Sequence, residues 1–172
     1  LNMIDEKSPY PTGIYIDITP IDYAPDNKIA LQLKGITADL LRLISYSVYW
    51  KQYKSDSLRE FMLNSEGKTY YKIRIAIGTI FSFRSAEKWF ASFDRFIQGK
   101  QTNHITIAAG REKYRGAYYP KDVFYPPKLV PFEDRKIFIV NKEDVYMTRL
   151  YGNYMKIPEK ENREKHLCLR LD

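Results

Sequence analysis

An α+β fold, a small sheet packed with several helices, is expected of these 172 residues on three grounds. Residues 14–18, IYIDI, alternate apolar and polar side chains with the period of a half-buried strand. Leu33, Ile36, Leu40, Ile44 and Val48 recur at three- and four-residue spacing, which places them on one stripe of a helix turned toward the core. Residues 128–140, KLVPFEDRKIFIV, read as two short strands around a charged turn. The length fits one domain of about 100–200 residues. With 44% hydrophobic and 28% charged residues, the chain has enough apolar material for a core, which excludes wholesale disorder.

The elements follow in order. PYPTG at 9–13 is a turn-rich entry, because two prolines fix φ and Gly13 admits dihedrals that other residues avoid. In the strand after it, Ile14, Ile16 and Ile18 share one face, Tyr15 and Asp17 the other, and Pro20 ends the ladder for want of an N–H. YAPDN at 23–27 reads as a turn whose Asp26 or Asn27 caps a long helix running to about Tyr53. Residues 69–83 fit two periods. Ile73, Ile75 and Ile77 alternate as in a strand, whereas Ile73, Ile77, Ile80 and Phe81 share a helical face, and helix is favoured. Ser85 caps AEKWFASFDRFIQG, in which Trp89, Phe90, Phe93, Phe96 and Ile97 form a broad apolar face and Gly99 ends the helix. HITIAAG at 104–110 reads as a strand ended by Gly110, and REKYRGAYYP after it as a loop. The hairpin at 128–140 turns at Glu133, Asp134 and Arg135. Asn141 then caps KEDVYMTRLYG, whose Glu143 and Asp144 sit where the helix dipole favours acids, and Gly152 closes it.

Several function classes drop out. The most apolar stretch, Leu40 to Trp50, carries Arg42 and several hydroxyls and falls short of the ~18 apolar residues that span a bilayer. Cys168 is the one cysteine, so no internal disulfide and no cysteine zinc cage can form, and it reads as a structural thiol. His104 and His166 stand too far apart for a local zinc motif, and no glycines have phosphate-loop spacing. The 28 Lys and Arg against 21 Asp and Glu give a net charge of +7, which attracts anions, but it is mixed with acids rather than gathered in one block.

Two segments hold side chains suited to chemistry. Asp17, a carboxylate held by a strand between two isoleucines, suits a hard metal ion given a partner acid, with Asp22 the local alternative; facing solvent is the plainer reading of the same residue. Tyr151, Gly152 and Tyr154 follow the last helix, where a turn brings backbone and phenol close to a ligand or simply packs the tyrosines. His166 can carry a proton or donate to phosphate near neutral pH, although a histidine beside Lys165 is commonly a solvated surface residue.

Taken together, GIYIDITPIDYAP at 13–25, VPFEDRKIFIV at 130–140, and YMTRLYGNYMKIP at 146–158 with His166 resemble the LicD family, the bacterial phosphocholine transferases of surface glycans. Fukutin-related proteins share a looser version of the last block. The resemblance implies a partial nucleotidyltransferase-like fold in which magnesium or a similar divalent metal helps move a phospho-alcohol group. The donor would be CDP-choline or another CDP-alcohol, and the acceptor a carbohydrate hydroxyl in lipopolysaccharide or teichoic acid biosynthesis. It makes Asp17 the third metal-directed carboxylate and places Glu133, Tyr151, Gly152, Tyr154 and His166 at substrate-binding motif positions. It implies a cytoplasmic protein at the inner face of the membrane, associated through a lipid-linked glycan, with no nucleic acid partner.

One departure stands out. The family carries an aspartate cluster of the form WDDDxD on an earlier strand, and nothing in residues 1–16 matches it. The chain, which opens at Leu1, is therefore expected to be the C-terminal portion of a longer transferase and inactive alone. The alternative is a noncatalytic glycan- or polyanion-binding module that uses the positive charge and exposed tyrosines.

Overall fold

The computed structural model describes residues 18–53, 59 and 67–159. The turn expected at 9–13 lies outside them, and so does the strand expected over 14–18 apart from Ile18, which is exposed. The described elements are β1 (Asp22–Ala24), α1 (Lys28–Gln52), α2 (Lys68–Ile80), α3 (Ala86–Ile97), β2 (His104–Thr106), α4 (Lys113–Gly116), β3 (Tyr118–Pro120), a 3₁₀ turn (Lys121–Val123), β4 (Lys128–Phe132), β5 (Arg135–Ile139) and α5 (Glu143–Tyr151). The protein is α+β. It divides into a helical unit, Gln32–Gln98, and a second unit formed by Ile21–Leu31 with residues 99–159.

Helix α1 starts as the sequence indicates: the Asn27 side-chain oxygen accepts from the N–H groups of Ile29 (2.9 Å) and Ala30 (3.0 Å). Its core-facing stripe keeps Val48 of the expected one but otherwise differs. Leu31, Ala38 and Val48 are buried, whereas Leu33, Ile36 and Leu40 are exposed. Both stripes have helical period, so periodicity cannot choose between them; neighbouring helices choose, and they select small side chains. Ser45 and Ser47 are fully buried because their hydroxyls bond back to the carbonyls of Leu41 (2.7 Å) and Leu43 (2.6 Å). That leaves a low, satisfied surface on which α2 lies close. A Cβ added at Gly78 would stand 2.1 Å from the Ser47 carbonyl oxygen.

The ambiguous 69–83 segment is helical over Lys68–Ile80. Its buried Arg74 donates to the Leu43 carbonyl (3.0 Å) and lies over the rings of Trp50 (5.1 Å) and Tyr70 (5.3 Å). In α3, Phe93 and Ile97 are buried and Phe90 meets Tyr46 edge-on at 5.0 Å. Ser85 takes the N-cap position without a side-chain capping bond, and Gln52 at the end of α1 accepts the Ala86 N–H instead (2.9 Å). At the other end the Lys34 ammonium donates to the carbonyls of Ile97 (3.0 Å) and Gln98 (2.9 Å), where the helix dipole favours a cation.

In the second unit β1, β2 and β3 form an antiparallel sheet in that order, with Tyr23, Ile105 and Tyr119 in register. Two of these strands were not expected. Tyr23 and Ala24 belong to β1, so the turn begins only at Pro25, and the expected loop at 111–120 contains α4 and β3. Three residues are too few to display a period, and these strands exist through pairing between distant segments. Strand β2 ends early, at Thr106, because Ile107 donates to Ala117 and its own carbonyl accepts from Gly110. The core beneath joins Ile105, Ala117, Tyr119, Val123 and Phe124, against which Val140 and Tyr146 pack. Strands β4 and β5 make the expected hairpin, closed by the Phe132–Arg135 pair with Glu133 at φ 51° in the turn. Helix α5 ends at Gly152 (φ 65°) as expected; Lys142 rather than Asn141 holds its N-cap position, since the Asn141 amide donates to the Asp122 carbonyl (2.9 Å). No helix among the described residues is long and apolar enough to cross a membrane.

Because the α1–α2 approach leaves no room for a methyl group at Gly78, Gly78→Ala is expected to lower stability by about 1–3 kcal/mol, read as a fall in thermal midpoint. An unchanged midpoint would show that the helices separate at little cost.

Candidate functional site

The guanidinium of Arg149 on α5 donates to the carbonyls of Tyr118 and Gly116 and lies 4.3 Å from the centre of the Tyr119 ring. At the start of α5, Lys142 pairs with Asp122 and its N–H donates to the Val123 carbonyl (2.9 Å). These contacts hold the last helix against β3 and the 3₁₀ turn. An apolar cavity of about 560 Å³ results, lined by Ile21, Phe124, Tyr125, Phe138, Tyr146 and Met147 among others. Its lining carboxylate is Glu143, which pairs with Lys128, and that hydrogen bond holds the Glu143 carboxyl below the usual range. Burial pushes the Tyr146 phenol up.

A second, more polar cavity of about 440 Å³ is lined by Asn103, His104, Pro120, Lys121, Asp122 and Tyr125, so the two cavities share Tyr125. His104 Nδ1 lies 2.6 Å from Asp26 Oδ1. Asp26 also accepts from the Asn103 backbone N–H (3.2 Å) and side-chain amide (3.1 Å). The imidazole stacks on Tyr118 at 4.6 Å and 11°, and the Tyr118 hydroxyl donates to the Pro25 carbonyl. Asp26 and Tyr118 thus contact the ring, and Asn103 and Pro25 hold those two in place. The bond from His104, then those from Asn103, hold the Asp26 carboxyl below its ordinary value despite some desolvation.

The expected site residues lie elsewhere. Asp17 and His166 are outside the described residues. Glu133 is exposed at the tip of the hairpin, a five-residue strand and so roughly 17 Å from the Lys128 end. Tyr151 is exposed, Gly152 caps α5, and Tyr154 donates its hydroxyl to Asp144, which raises the phenol pKa. The last three cluster at the end of α5; among the described residues no hydrogen bond or ion pair joins Glu133 to them. Sequence reading passed over Asp26 as a site residue and His104 as a dyad partner, because 78 residues separate them. Among the described residues no three His, Cys, Asp or Glu side chains lie together as a metal-holding group.

A folded-state carboxyl held below its unfolded value stabilises fully above the unfolded value, near 3.8, and loses that contribution as pH falls through the lowered one. Asp26→Asn is therefore expected to flatten the stability profile on the acid side of pH 4, followed by urea midpoints. A profile that keeps the wild-type slope there would remove Asp26 as its source.

The three sequence blocks named above meet at the apolar cavity: Ile21 from the first, Phe138, Ile139 and Val140 from the second, Tyr146 and Met147 from the third. No family model and no solved structure matches the chain. The chain is similar to the lipopolysaccharide cholinephosphotransferase LicD of Haemophilus influenzae, with 26% identity over 163 residues, 93% of this chain and 56% of that protein. It spans about half the length of this curated relative. Through this match the chain is a distant relative of the LicD family.

Proposed function

We propose that the chain serves a LicD-like transferase that moves a phosphocholine-type group from a CDP-alcohol donor to a sugar hydroxyl of a cell-surface glycan. The observation that carries this reading is the convergence of all three sequence blocks, distant along the chain, on one apolar cavity. Four aromatic rings, Phe124, Tyr125, Phe138 and Tyr146, with one carboxylate, Glu143, suit an alcohol headgroup that is apolar in bulk and positively charged. A net charge of +7 favours an anionic donor or glycan. The divalent metal of this reading would be held by Asp17, which lies outside the described residues.

Phe138 is 71% exposed, so Phe138→Ala is expected to spare the fold, while Met147→Trp narrows the cavity. Each is expected to weaken CDP-choline binding about 10-fold by calorimetry, about 1.4 kcal/mol. Unaltered affinity in both variants, or binding that is steep in salt and shared by any polyanion, would favour the noncatalytic module instead. In the full-length protein Asp17→Asn is expected to abolish magnesium-dependent release of CMP from CDP-choline; normal turnover takes Asp17 out of the site.

A further inference from the structure

We infer that the polar cavity receives the acceptor hydroxyl and that His104, oriented by Asp26, is its general base. The inference rests on the transferase reading for the identity of the reaction, but its geometry is independent of that reading. An imidazole whose Nδ1 faces a carboxylate at 2.6 Å presents Nε2 as its proton acceptor, and the carboxylate stabilises the imidazolium formed when that nitrogen takes a proton. The ring cannot turn freely, because Tyr118 stacks on it and two Asn103 groups hold Asp26 in place. His104 lines a cavity large enough for a sugar ring, and its side chain keeps 29% of its exposure, so a ligand can reach it.

The cavity's walls are mixed, more apolar than polar in area, which suits a sugar ring with its apolar faces and hydroxyl rim. Asn103 and Lys121 offer donors, Asp122 an acceptor, and the half-exposed ring of Tyr125 a stacking face. Tyr125 is also a wall of the apolar cavity, so the two cavities have that residue in common. In the step, His104 Nε2 takes the hydroxyl proton as the hydroxyl oxygen bonds to the phosphorus of the phospho-alcohol. The bond from that phosphorus to the bridging oxygen breaks, and CMP leaves with the electron pair. The imidazolium then returns its proton to solvent. The titratable and charged groups around the ring are Asp26 from the turn before α1, Tyr118 from β3, Lys121 and Asp122 from the 3₁₀ turn, and Tyr125 after it.

The test uses His104→Gln in the full-length protein, since glutamine keeps a donor for Asp26. Expected is a loss of CMP release of at least about 100-fold, with CDP-choline affinity by calorimetry within about 2-fold of wild type. A variant that turns over normally overturns the inference. If the wild-type protein releases no CMP, the transferase reading fails, and the cavity is judged by proton NMR of the two histidines. Methyl galactoside should then shift the His104 ring signal saturably, and no shift at 50-fold excess over protein overturns the inference independently.

Discussion

The guanidinium of Arg149 satisfies the carbonyls of Gly116 and Tyr118 and covers the buried Tyr119 ring, and the walls of the apolar cavity depend on that placement. Among the described residues it meets carbonyls and an aromatic face rather than a carboxylate. A planar fork can serve two diverging carbonyls and stack at the same time, which an ammonium cannot do. Helix α5 has no buried residue of its own, so hydrophobic burial alone does not hold it. Its register against β3 is set by Arg149 and, at its start, by the Lys142 contacts to the 3₁₀ turn. Tyr146 and Met147 reach the cavity only because those polar contacts fix the helix around them.

The helical unit is held on a different principle. Its α1–α2 contact is made by small groups, with Gly78 against the Ser47 backbone, and by one buried cation, Arg74, between aromatic rings. Burying two serines costs little because each hydroxyl bonds to the carbonyl four residues back. The larger aliphatic side chains Leu33, Ile36 and Leu40 remain outside.

What the sequence made legible follows from the range of the forces involved. Caps and turns are local, so Asn27, Gly152 and the Glu133–Asp134 turn were found where the chain places them. Long periodic segments were equally plain, as α1 and α3 show. The core-facing side of α1 was not, because two stripes of equal period competed and only the neighbours decide. Strands β1 and β3, three residues each, carry no pattern of their own. The site divides in the same way. Motif positions such as Tyr151, Gly152 and Tyr154 were readable one by one, but the Asp26–His104 pair joins a turn to a strand far along the chain, and no local spacing announces it.

A phosphoryl group passed to a sugar must be kept from water, which is the more abundant nucleophile. On the proposed function, the two adjoining cavities supply a physical means. Apolar rings around the donor's alcohol offer water few hydrogen-bond partners. In the cavity that shares Tyr125, the polar groups of Asn103, Lys121 and Asp122 can repay the desolvation of a sugar with hydrogen bonds. The oriented imidazole is on the polar side alone, so basicity is available where a polyhydroxyl ligand displaces solvent and not where the headgroup rests. Selection between sugar and water then depends on occupancy of the polar cavity, a binding difference set by Asn103, Lys121 and Asp122 rather than by the reacting groups themselves.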